Sequence, residues 1–158
     1  MRLKRLLTIY LCFLLALILM IMPLPAVLQS LWPSWPILVI IYWVSVWPDE
    51  VGVGSAWCLG LFMDALSGML LGQNALALAL VAFLTKILRQ RLQPFPIWQP
   101  WLIVIIIVGF GQLCLLGVQW FIGRLPESLS YWFSTLTSAL IWPWLAAGLN
   151  RYRRQWTS

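Results

Sequence analysis

A single carboxylate inside an apolar run limits what this chain can fold into more than any other feature. The run is Val51 to Asn74, VGVGSAWCLGLFMDALSGMLLGQN, and the acid is Asp64. Every fourth residue from Gly52 reads Gly52, Ala56, Gly60, Asp64, Gly68, Gly72. Residues four apart share nearly the same helix face. Small residues and one acid would therefore form a smooth seam. Such seams let helices approach closely in lipid, where no hydrophobic drive pulls one helix from the tails toward another. A charge at mid-membrane costs roughly 2.5–3.5 kcal/mol on insertion scales, so Asp64 should face protein or water.

The flanking sequence sets the class. Of 158 residues, 63% are hydrophobic and 9% are charged, against about a quarter charged in a soluble domain. The apolar residues come in runs approaching the roughly 20 needed to cross a bilayer. The reading is all-α: one polytopic membrane domain over 1–158, of about six transmembrane helices. The expected spans are about 6–28, 33–47, 51–67, 71–88, 97–122 and 131–149. Met22-Pro23-Leu24-Pro25 ends or kinks the first. Gly68 to Gly72 form a reversal. Lys86, Arg89 and Arg91 mark a basic loop closed by Gln93-Pro94-Phe95-Pro96, and a polar loop from Gly123 to Ser130 holds Arg124 and Glu127. Pro143 predicts a kink in the last span.

Charge gives the orientation. Six spans place both termini and the second and fourth loops on one side. That side holds every basic residue except Arg124, so the positive-inside rule makes it cytoplasmic. The net charge of +6 follows this distribution, and nucleic acid is not an expected partner. Asp49 and Glu50, at the start of the third span, suit a helix N-terminus. The tryptophans, mostly near span ends, fit an interfacial belt.

The chemistry is sparse. There is no histidine, which removes the commonest general base and metal ligand. Cys12, Cys58 and Cys114 have neither metal nor redox spacing and read as small buried hydrophobes. Ser67, three residues after Asp64, has no base beside it. Neither an enzyme nor a metal or cofactor site is expected. Two readings of Asp64 stay open. It contacts a partner or forms a polar site with Gln73 and Asn74 across the reversal, or it caps backbone amides at a helix break near Gly68. Gly52, Gly60, Asp64, Gly68 and Gly72 are the candidates for helix packing or partner contact.

Several motifs, taken in order, resemble the MreD family of bacterial rod shape-determining membrane proteins, in its proteobacterial form. They are MPLP at Met22–Pro25, Pro33-x-Trp35, IIYW at Ile40–Trp43, Pro48, VGVG at Val51–Gly54, G-x-x-x-D-x-x-x-G at Gly60–Gly68, LGQNALAL at Leu71–Leu78 and IWPW at Ile141–Trp144. The resemblance covers nearly the whole chain. It implies an inner-membrane component of the cell-elongation machinery that associates with MreC, a single-span protein with a periplasmic coiled coil. Through MreC it implies a connection to the MreB filament, to the RodA glycosyltransferase and to its penicillin-binding transpeptidase. It also implies a fold like the six-helix substrate-binding subunit of energy-coupling-factor transporters. The leading expectation is a non-enzymatic scaffold supporting lateral peptidoglycan synthesis and rod shape. The alternative is a vitamin-like small-molecule binding subunit of a transporter, with Asp64, Gln73 and Asn74 as its polar groups.

Overall fold

The structure is a computed structural model that describes residues 2–68, 70–92, 98–124 and 132–155. The described residues form helices and no strand: α1 Arg2–Ile21, α2 Ala26–Leu31, α3 Trp35–Val46, α4 Val53–Ser67, α5 Gln73–Leu92, α6 Trp98–Ile122 and α7 Phe133–Arg154. The short α2 leads into α3. Together they make an apolar segment, Ala26–Val46, of 21 residues. That segment, Arg2–Ile21 and Trp101–Ile122 are each long and apolar enough to cross a membrane. The chain is a polytopic, all-α membrane protein. α4, with 15 residues, is about 22 Å long, shorter than the roughly 30 Å hydrocarbon core.

α3 is the centre of the bundle. WPILVIIYWVSV is apolar all round, and a helix of that kind must be buried on every side. Each residue from Pro36 to Ser45 is buried. α1, α5, α6 and α7 pack around it. α4 instead buries one stripe, Ala56, Leu59, Gly60, Met63 and Asp64. That is the i, i+3, i+4, i+7, i+8 pattern of a one-sided helix. The stripe lies against α5, the most extensive helix pairing among the described residues.

Several boundaries differ from the sequence reading. The expected first span, 6–28, is split. α1 stops at Ile21, and α2 begins after Pro25, because neither Pro23 nor Pro25 can donate a helical hydrogen bond. Lys86, Arg89 and Arg91 are not in a loop but in the last turns of α5, which runs to Leu92. Arg151, Arg153 and Arg154 likewise end α7, where cations oppose the negative pole of the helix dipole. α7 passes through Pro143 without interruption. The expected loop segments 93–96 and 125–130, Glu127 included, lie outside the described residues.

Side-chain bonds tie the helix ends together. Where the N-terminal arginines lie, Arg5 pairs with Glu50 at 3.7 Å and sits 5.6 Å over the Trp47 ring. Arg89 Nε donates to the Ser45 carbonyl at 2.9 Å. The Tyr42 hydroxyl donates to Asn150 Oδ1 at 2.8 Å. This corrects the reading of Glu50 as a helix-dipole acid: α4 starts at Val53 and has no acid in its first turn, so Glu50 turns to Arg5. At the opposite end, the Ser34 N–H donates to Ser138 Oγ at 2.9 Å. There too, Ser134 Oγ donates to the Trp32 carbonyl at 2.8 Å, and Trp32 Nε1 to Leu19 O at 2.9 Å. Trp43 is 1% exposed and stacks on Trp47, so it is core rather than belt. Cys58 is exposed, because it lies off the Ala56–Gly60–Asp64 stripe.

Candidate functional site

Asp64 sits on the last full turn of α4 and is 0% exposed. Its carboxylate meets the start of α5. Oδ2 accepts from the Gly72 N–H at 2.9 Å and the Ala75 N–H at 3.4 Å. Oδ1 accepts from the Asn74 N–H at 3.0 Å and from Asn74 Nδ2 at 2.8 Å. The first amides of a helix have no intrahelical acceptor. An N-cap side chain normally supplies one. Here the cap comes from the preceding helix, across the turn. The buried charge is offset by four donors and by the positive pole of α5, so it needs no cation.

The turn makes this geometry possible. Gly68 closes α4 with φ +62° and donates its N–H back to the Asp64 carbonyl. Gly72 has φ +101°. Both values are ones that residues with a Cβ rarely adopt. The turn brings α5 so close to α4 that Gly60 has no room for a side chain. A Cβ there would stand 2.3 Å from Ala75 Cα and 2.5 Å from Ala75 N.

The proposed seam is therefore shorter than its sequence period. Ala56, Gly60 and Asp64 form a packed face. Gly68 and Gly72 belong to the turn, because the helix has ended, and a Cβ on either would meet nothing within 4 Å. Gly52 is the residue before α4, with the Pro48 carbonyl 4.0 Å from its Cβ position. Of the polar trio, Asp64 and Asn74 are joined. Gln73 is not bonded to Asp64. It is 5% exposed, and its side-chain nitrogen is buried without a partner.

A cavity of about 500 Å³ opens near this turn, at the end of the bundle away from the Arg5–Glu50 pair. Asn74 is on its wall, but Asp64 and Gln73 are not. Its other polar residues include Gln29, Ser34, Gln112 and Ser134. Gln112 is 2% exposed and accepts a hydrogen bond from the Thr135 hydroxyl of α7. The sequence reading missed it. The available signal was an amide within an otherwise apolar run, Leu102 to Leu116, where polar residues are costly. A second hollow, of about 590 Å³, lies between α1 and α4 and is mostly apolar. Gly54, Ser55 and Cys58 are small residues there, beside Phe13, Leu17 and Phe62. Among the described residues no group of three His, Cys, Asp or Glu could hold a metal ion.

Comparison with known proteins identifies the family. The family model of the rod shape-determining protein MreD matches residues 1–152. The rod shape-determining protein MreD of Haemophilus influenzae is 30% identical over 151 residues, which is 94% of this chain and 91% of that protein. No solved structure matches the chain. With the family model spanning nearly all of its length, the chain belongs to the MreD family of rod shape-determining proteins.

Proposed function

We propose that this protein is a non-enzymatic scaffold of the rod complex in the bacterial inner membrane, with both termini cytoplasmic. In this reading it holds the membrane span of MreC. Through MreC it is linked to the MreB filament, to RodA and to the penicillin-binding transpeptidase, and so supports lateral peptidoglycan synthesis and rod shape. Family membership supports the process. The observation that carries the place of contact is the hollow between α1 and α4. It is apolar, and its α4 wall has small residues at Gly54, Ser55 and Cys58. A Cβ on Gly54 would meet nothing within 4 Å. Small residues let a second helix come close in lipid, and a single-span partner offers one helix.

Cys58 is a natural probe of this contact, because it is exposed in that hollow. In a background with Cys12 and Cys114 replaced by serine, Cys58 is expected to cross-link to single cysteines along one face of the MreC span. Co-purification without any cross-link from Cys58 would move the contact elsewhere. Loss of co-purification altogether would end the scaffold reading. Depletion is expected to turn rods round without creating a nutrient requirement. Rescue of shape by a vitamin supplement would favour the transporter-subunit alternative.

A further inference from the structure

The cavity beside the α4–α5 turn has hydrogen-bonding groups that the fold does not use. Asn74 is the clearest. Its N–H and Nδ2 both donate to Asp64. The carboxylate accepts only donors, so it fixes the amide orientation and leaves Oδ1 as a spare acceptor at the wall. Gln112 is the complement. Its carbonyl is taken by Thr135, which leaves Nε2 as a spare donor on a residue that is 2% exposed. If the amide were reversed, one of its two polar atoms would still be spare. Buried amides in native proteins are rarely left in that state.

The described residues of the same wall carry no charge. Among the described residues, no Lys, Arg, Asp or Glu lines the cavity. Asp64 is behind Asn74, fully buried and engaged by four donors. Among these described residues a cation meets no free carboxylate, and an anion meets no cation. Ser134 Oγ donates to the Trp32 carbonyl, so Ser34 Oγ donates to Ser134 Oγ at 3.2 Å, and the two hydroxyl oxygens add acceptors. Ile37, Met63, Leu78 and the Trp32 ring supply the apolar side. The volume of about 500 Å³ is within the range of small-molecule sites, which combine an apolar lining with a few polar groups.

We propose that this cavity binds an uncharged, hydroxyl-rich ring, the chemistry shared by free sugars and by the head groups of glycolipids. A ring hydroxyl accepts from Gln112 Nε2, and the same or a neighbouring hydroxyl donates to Asn74 Oδ1. The C–H faces of the ring lie against the apolar wall. This site is separate from the hollow between α1 and α4, and it does not depend on the scaffold reading.

The test uses the full chain, purified in a zwitterionic detergent and placed in phosphatidylcholine nanodiscs, which carry no sugar. Methyl glycosides of the common hexoses are titrated as free rings. The matching octyl glycosides are titrated as rings on an alkyl chain. Saturable binding is expected, at least tenfold weaker in Gln112→Leu. Leu115→Trp fills the cavity without removing a polar group and is expected to abolish binding, which keeps the test intact if Gln112→Leu fails to fold. Binding of both series identifies a free ring as ligand. Binding of the octyl series alone identifies a glycolipid head group. An octyl ether without a ring must not compete. Equal competition by that ether, no saturable binding in the unaltered protein, or undiminished binding in Leu115→Trp overturns the proposal.

Discussion

Gly60 and Ala75 are in backbone contact: a Cβ built on Gly60 would lie 2.3 Å from Ala75 Cα. The neighbouring atoms are main chain, with Asn74 C at 2.7 Å, so no side chain can swing aside. Gly60→Ala should therefore force α4 and α5 apart, at an overpacking cost of about 1–3 kcal/mol. Gly54→Ala is the control. Nothing lies within 4 Å of its Cβ position, and the change should stay within about 0.5 kcal/mol. Thermal unfolding in detergent and membrane abundance would check both. Equal stability of the two variants would contradict the close contact.

Asp64→Asn keeps the shape of the side chain but replaces one acceptor oxygen with a donor. Four N–H groups converge on that carboxylate, so an amide there faces donors it cannot satisfy. The expected loss is about 1–3 kcal/mol. Asn74→Ala removes one of the four donors and should cost less, about 1 kcal/mol. A double-mutant cycle between the two positions should show coupling. Additive losses in the thermal midpoint would argue against the shared cap.

Gly68→Ala tests the turn by itself. The residue has φ +62° with open space at its Cβ position, so the cost is backbone strain without a clash. It should be about 1–2 kcal/mol. Gly68→Asn should cost less, because asparagine tolerates the left-handed region. Comparable melting curves for the alanine and asparagine variants would count against this conformation.

Topology is open to direct measurement. With six spans, reporter fusions after Arg124 and after Ser158 should read out opposite sides of the membrane, with Ser158 cytoplasmic. A periplasmic signal from the Ser158 fusion would change the number of spans.

The class and most helices follow from sequence patterns whose causes are local. Long apolar runs have to be helices in lipid, because every backbone group needs an internal partner. The all-round apolar composition of Trp35–Val46 marks a central helix, and the Ala56–Gly60–Asp64 period marks the buried face of α4. Pro23 and Pro25 mark the break after α1, and Gly68 marks the end of α4. A four-residue period, however, continues past Gly68 in the letters while the helix does not, so the sequence alone extended the seam into the turn. Only the tertiary structure decided what each buried face meets. Asp64 caps a neighbouring helix because the turn geometry aims the α5 amides at it. Gln112 meets Thr135 from 23 residues away, and Ser34 meets Ser138 from 104 residues away. Local pattern encodes which side of a helix avoids lipid. The rotation and register that select its partner are set by the packing of all the helices together.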